Sequence, residues 1–401
     1  MKFGVASRDI TPERGMAIPG YFSSRFVSGI LDNLYSKAMV FENEDDFFVS
    51  IVCDAITLSR DDVLRIRRGI YEKCGIPERN ISVSATHTHT GGPVWSWGEA
   101  AKRNPFYMDM LGNMAVDAAE DAFKKRVPAK IGFAKSDVKG YSFIRRFEMK
   151  NGTYSTNPGI GNPNIKEPVG TPDESFVVGK VSDLNGKILA FISNFGVHLD
   201  MIGGNEVSAD FPGVLSKLIK EKYGENVESI FFTGPCGNTN HVNQKPVDVS
   251  DATESGLPED APAYKKTGYA LFNKLCEIEK DIVLSSNVKF ESYRKLLSAK
   301  LRVPAKERVF EAQEFLRGKT DKFGYADWNA RKLMATAAVE AYNNPIHMID
   351  VEIMVLIIDD AAMVFWPGEV FVEYGKAVRE KLSDKKIFIA ELSCGSFDSY
   401  L

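Results

Sequence analysis

The pattern of apolar residues predicts an α/β fold, with mixed central β-sheets covered by helices in a layered α/β sandwich. Three observations carry this. Apolar runs of strand length alternate with segments whose apolar residues recur at helical spacing. Strand–turn–helix–strand units stand near both ends of the chain, at 47–86 and 362–392. The pairs Asn185-Gly186 and Asp359-Asp360 separate β-branched runs, as hairpin turns do.

In chain order, the turn-rich Ile10-Thr11-Pro12 and Pro19-Gly20-Tyr21 suggest that the first thirty residues wrap a fold completed later. A buried strand, Phe47 to Cys53, ends in the carboxylate of Asp54. A helix with acidic residues at its start follows from Asp61, then the strand Ile81–Thr86. Pro105 to Lys125 reads as a helix and Ala129 to Lys139 as a strand. Asn151 to Thr171, rich in Gly, Pro and Asn, reads as a long ordered loop. The hairpin 176–193 runs on toward His198, and a helix follows from Phe211. The strand 229–233 leads into Gly234-Pro235-Cys236-Gly237-Asn238-Thr239-Asn240-His241. Gln244 to Pro262 is acidic and expected to be exposed. Helices are expected at 264–278, 306–316 and 328–342, with a strand near 288–293. The hairpin 351–366 ends in Pro367-Gly368-Glu369, before a helix with Phe371, Tyr374, Val378 and Leu382 on one face and a last strand, 386–392. No repeat or linker stands out, so residues 1–401 are expected to form a single domain, with 245–345 as a possible helical insertion.

Composition narrows the function class. The chain is 44% apolar and 26% charged, as soluble globular proteins are. Its net charge of −4 gives no electrostatic reason for a nucleic-acid or anionic-membrane partner. The stretch Met1–Asp9 lacks the apolar core of a signal peptide, and no run approaches membrane-spanning length. Five cysteines without a CxxC spacing read as reduced thiols. A cytoplasmic location is the expectation, with secretion open if a leader was trimmed.

The most chemical stretch is Ser84-Ala85-Thr86-His87-Thr88-His89-Thr90-Gly91-Gly92-Pro93, which holds two of the five histidines. If the preceding strand continues, His87 and His89 leave it on one face. That suits two metal ligands, a ligand beside a hydrogen-bond donor, or polar strand residues satisfied by backbone carbonyls. His198, His241 and Glu369 also follow strands. A hydrolytic zinc ion takes about three protein ligands and keeps one position open. Asp54 is either a partner that orients a ligand histidine or a turn residue, and Asp210 is a candidate helix cap. Trp95 and Trp97 can line a cleft or pack, Cys236 is a small packing residue or a loop contact, and His347 reads as structural within an apolar strand.

On these motifs the sequence resembles the neutral (non-lysosomal) ceramidase family. The resemblance runs through Asp9-Ile10-Thr11-Pro12, Pro19-Gly20-Tyr21, Asp54, Ala85-Thr86-His87-Thr88-His89, Asn194-Phe195-Gly196-Val197-His198, Ser208-Ala209-Asp210 and Pro367-Gly368-Glu369 to Tyr400. It implies a catalytic domain similar to that of single-domain bacterial relatives, and a zinc ion held by His87, His198, Glu369 and Tyr400. It also implies that His89 and Arg145, with Arg146 as the alternative, stabilise the substrate carbonyl oxygen. Asn240 stands where the family carries a serine, so water becomes the implied nucleophile, with His241 as a base, a substrate contact or a further ligand. The implied activity is zinc-dependent hydrolysis of an amide bond in a small or amphiphilic, ceramide-like molecule. The alternatives are a metal-dependent hydrolase of a carbohydrate derivative or other polar metabolite, and a non-catalytic binding protein on the same fold.

Overall fold

The computed structural model describes residues 1–44, 46–96, 98, 100–245, 251–321, 323–324 and 328–395. Its main sheet is built from β1 (Lys2–Asp9), β2 (Tyr35–Asn43), β3 (Asp46–Cys53), β4 (Ile81–Ala85), β5 (Val127–Asp137), β6 (Ser175–Asp183), β7 (Ile188–Phe195) and β8 (Glu228–Thr233). The strand order is β8-β7-β6-β5-β1-β2-β3-β4. A second sheet joins β9 (Phe290–Lys300), β10 (Met348–Ile358), β11 (Ala361–Phe365) and β12 (Lys386–Ala390) in sequence order.

The two sheets face each other across an apolar layer. Phe3, Phe41, Phe48, Ile192 and Phe232 of the main sheet meet Met354, Leu356, Phe365 and Phe388 of the second. On the outer face of the main sheet, α1 (Arg60–Cys74) and α2 (Pro105–Lys124) cover one half. The helices α3 (Phe211–Tyr223) and α4 (Ala263–Ile278) cover the other. Outside the second sheet, α7 (Val372–Lys381) places Val378 against Val364 and Ile389. The expected layered α/β sandwich is thus present, as two sheets between helical layers.

In these two sheets three strand pairs are parallel: β3 with β4, β7 with β8, and β11 with β12. Each needs a crossover, supplied by α1, α3 and α7 in turn. Local chemistry marks where these helices start. Ser59 and Asp62 form a capping box for α1, and the Asp210 side chain accepts the Phe211 N–H as the expected cap of α3. Helices α5 (Lys306–Leu316) and α6 (Trp328–Asn343) carry a small core of their own around Phe315 and Ala335. Among the described residues, no helix is long and apolar enough to cross a membrane.

Several expectations change. Lys2–Asp9 is an interior strand of the main sheet, paired with β2 on one side and β5 on the other; the turn residues that suggested a surface wrap begin only at Ile10. The 151–171 stretch contains the short strands Tyr154–Thr156 and Ile165–Pro168, both paired with Arg146–Met149. In the expected acidic surface segment Gln244 is buried, while 246–250 lie outside the described residues. His347 precedes β10 and is exposed, so it is not an interior strand residue. On α7 the buried positions are Val372 and Gly375, and Tyr374 is 52% exposed, because the helix starts at Val372.

Candidate functional site

All three parallel pairs send the C-terminal ends of their strands to one region, where open α/β sheets place ligands. His87 and His89 follow β4, His198 follows β7, Cys236 to Asn240 follow β8, Glu369 follows β11 and Glu391 follows β12.

The two neighbouring histidines converge by a route that strand alternation does not describe. Strand β4 ends at Ala85, and His87 has φ 75, a left-handed conformation rare for a residue with a side chain. Backbone bonds hold it there: His87 N–H donates to the Ala55 carbonyl at 2.9 Å, and His89 N–H to the Leu199 carbonyl at 3.0 Å. The second bond ties the motif to the loop that carries His198.

The three rings are nearly inaccessible to solvent. Their Nδ1 atoms each face a backbone carbonyl: His87 that of Ile56 at 2.8 Å, His89 that of Gly20 at 3.0 Å, and His198 that of Cys236 at 3.4 Å. A carbonyl only accepts, so Nδ1 carries the hydrogen in each ring and Nε2 carries a lone pair when the ring is neutral. The Nε2 atoms converge, 3.1 Å apart for His87 and His198 and 3.4 Å for His87 and His89. One nitrogen from each of the three rings can be chosen so that all lie within 4.8 Å of one another. Glu369 brings a carboxylate to the same point, with Oε2 at 3.5 Å from His87 Nε2 and 3.9 Å from His198 Nε2. Three buried imidazole lone pairs beside a carboxylate form a donor set for a cation, and its nitrogen and oxygen atoms suit zinc.

Electrostatics favour the neutral form in two of the three rings. Burial pushes His89 down to about 4 and, with Arg145 and the neighbouring imidazoles adding, pushes His198 well below its ordinary value. Burial also opposes a charge on His87, but Glu369 and the Ile56 carbonyl raise its pKa.

Arg145 lies 3.9 Å from Glu369 Oε2, and its guanidinium donates to the Gly237 carbonyl at 2.7 Å. Arg146 instead lies over the Tyr154 ring, so Arg145 is the arginine at the site. The Asn240 side chain is occupied: Nδ2 donates to Asn157 Oδ1 at 2.8 Å, and Oδ1 accepts the Val242 N–H at 2.7 Å. Gln244 reaches the same Asn157 oxygen at 2.7 Å, which fastens the 151–171 stretch beside the site. The Thr239 hydroxyl turns to the Cys236 carbonyl. His241 Nδ1 lies 3.3 Å from Asp200 Oδ1. Burial works against the Asp200 charge, but His241, His89 and Arg145 hold its carboxyl below the usual range. Glycine suits position 20 next to His89: its φ is 115, and a Cβ there would lie 3.0 Å from Nδ1.

Asp54 accepts the Tyr35 N–H at 2.9 Å and is a turn residue; the histidine rings use backbone carbonyls for the orienting role considered for it. Trp95 packs against the core, whereas Trp97 and Tyr400 lie outside the described residues. Sequence reasoning missed Asp200 and Glu391. Both carried a signal: Asp200 stands two residues after His198, and Glu391 ends an apolar strand as Asp54 does.

The profile of the neutral/alkaline non-lysosomal ceramidase N-terminal region matches residues 1–250, more than half of the chain. The chain belongs to this family. Neutral ceramidase A of Dictyostelium discoideum is 25% identical over 268 residues, which is 61% of this chain and 35% of that protein. The chain therefore spans about a third of the length of that curated relative. The crystal structure of neutral ceramidase from Pseudomonas aeruginosa superposes with a TM-score of 0.70 at 18% identity, covering 100% of this chain and 68% of that one. A ceramidase complexed with C2 gives 0.66 at 16% identity, covering 98% and 68%. At these identities the two structures establish the ceramidase fold.

Proposed function

We propose that this ceramidase-family chain is a zinc-dependent hydrolase of an amide bond. The observation that carries the reading is the meeting of three Nε2 lone pairs on buried rings with the partly buried Glu369 carboxylate. His87, His198 and Glu369 would hold the ion. His89 would complete the set, since its Nδ1–H goes to Gly20 and its Nε2 is left to coordinate. The resemblance assigns that fourth place to Tyr400 and makes His89 an oxyanion donor, a role for which the His89 ring needs a second proton. Bound there, zinc supplies the Lewis acidity that makes water nucleophilic near neutral pH.

The remaining steps belong to side chains. Arg145, fixed by the Gly237 carbonyl, is aimed at the region where attack on an amide builds negative charge on oxygen. Asn240 has no hydroxyl to act as a nucleophile, and its amide is spent on Asn157 and Val242. His241, with Asp200 beside Nδ1, is the group suited to hand a proton to the departing amine. The substrate is a small or amphiphilic N-acyl compound, and ceramide-like lipids are the class that relatives' names suggest.

A second substrate class has its own support. Arg145, Asn157, Asn240, Asp200 and His241 form a polar border around the imidazoles, which suits an N-acylated sugar or other polar metabolite. Assays on an N-acylsphingosine and an N-acetylhexosamine separate the two. The hydrolase reading itself is tested by elemental analysis of wild type and His198→Ala. About one zinc per chain, lost in the variant, is expected. A wild type that takes up no metal on titration would leave a non-catalytic binding protein as the better description.

A further inference from the structure

Glu391 is wholly buried just after β12. Its Oε2 accepts two backbone N–H groups, from Cys236 at 3.1 Å and Val370 at 2.9 Å, while Oε1 accepts the Cys236 thiol at 2.8 Å. The two amides sit in different loops, and each loop carries a group of the site. Val370 follows Glu369, and the Cys236 carbonyl faces Nδ1 of His198. The loops press together: Gly237 N–H donates to the Val370 carbonyl at 3.0 Å, and a Cβ on Gly237 would lie 2.7 Å from the Glu369 carbonyl oxygen.

The residues after Glu391 tie in a third element. Leu392 N–H donates to the Gly368 carbonyl, the Leu392 carbonyl accepts the Ala85 N–H, and Cys394 N–H donates to the Val83 carbonyl. Leu392 and Cys394 have φ 51 and 61, a conformation that persists in such residues only where the surroundings fix it. The segment 391–394 thus touches the end of β4 before His87, the loop after β8 and the turn bearing Glu369.

We infer that Glu391 is a positioning residue whose Oε2 bridges the Cys236 and Val370 loops and so sets the spacing of Glu369 against His198 for metal binding. An apolar side chain in its place would avoid the cost of burying a carboxyl group, but only an acceptor joins two amides from separate loops. The inference rests on the metal-hydrolase reading for its affinity measurement and not for its amide-exchange measurement.

The test compares wild type, Glu391→Gln and Glu391→Ala by chelator competition for zinc and by amide exchange of the metal-free proteins. Glutamine keeps one oxygen for the bridge, so its zinc affinity should stay within a few-fold of wild type. Alanine should weaken zinc by about 10- to 100-fold, the usual reach of a residue that orients metal ligands. It should also speed exchange at Cys236 and Val370 while leaving Ile230 and Phe231 of β8 unchanged. Wild-type zinc affinity in the alanine variant, or equal losses in both variants, would overturn the inference. If the alanine variant does not fold, the other two proteins decide: their Cys236 and Val370 amides must be protected as well as those of β8, and open-loop exchange rates overturn the bridge. A wild type without zinc uptake sinks the hydrolase reading and leaves amide exchange to judge the bridge alone.

Discussion

The Nε2 atoms of His87 and His198 lie 3.1 Å apart although the residues are 111 positions apart in the chain. Each ring is turned there by a carbonyl at its far nitrogen, so the pair is oriented before any ligand arrives. Preorganisation of this kind makes the roles of the surrounding side chains separable by substitution.

His89 is the sharpest case. His89→Ala should lower zinc affinity by at least tenfold, as loss of a metal contact does, because Nε2 presents a lone pair while Nδ1–H is held by Gly20. Zinc retained at wild-type affinity, with kcat reduced by about 10²–10³-fold, would instead mark His89 as an oxyanion donor.

Arg145→Lys should keep its zinc and lose about 10²–10³-fold in kcat with little change in KM, because a lysine cannot hold the Gly237 carbonyl and still present the same fork of donors. An unchanged kcat would remove Arg145 from the transition state.

Asn240→Ala should lower stability by about 1–2 kcal/mol through lost hydrogen bonds to Asn157 and Val242, and should slow hydrolysis by less than about tenfold. The measurement is a urea melt beside kcat/KM. A rate loss far larger than this would place Asn240 against the reacting atoms.

The loop after the histidine motif is pinned by Arg103, which donates twice to Asp62 and once to the Val94 carbonyl. Burial opposes the Asp62 charge, yet Arg103 and Ser59 hold its carboxyl below the usual range. A depressed folded pKa means that this contribution is present above the unfolded value of about 3.9 and is lost as pH falls through the folded one. Arg103→Ala should therefore cost about 1–2 kcal/mol at pH 7, with the gap to wild type closing at lower pH in urea melts. A gap that does not change with pH would assign the loss to packing.

Much of the architecture was legible in sequence because the parallel units write themselves as apolar runs with capped helices between them. Ser59 and Asp62 at one helix start and Asp210 at another are examples. The hairpin turns at Asn185-Gly186 and Asp359-Asp360 were equally plain. The site was legible as residue types at strand ends, and His87, His89, His198, Glu369 and Arg145 do meet. How they meet was not legible. Alternation along a strand cannot foresee the left-handed turn at His87, where the Ala55 carbonyl holds His87 and the Leu199 carbonyl holds His89 from elsewhere in the chain. Glu391 was hidden for a related reason: its meaning lies in two amides distant in sequence, and a lone carboxylate after an apolar strand looks the same with or without them.

The placement of Glu369 and Glu391 after the last two strands has a consequence for biosynthesis. A ribosome exposes His87 and His198 well before either carboxylate exists, and about 170 residues separate His198 from Glu369, roughly 10–35 s of translation at about 5–20 residues per second. During that interval the nascent chain holds imidazoles without their acidic counterpart, and the Cys236 loop lacks the carboxylate that joins it to Val370. On the metal-hydrolase reading, the full donor set exists only once the last two strands have been made, so loading of the ion would be a late step of maturation.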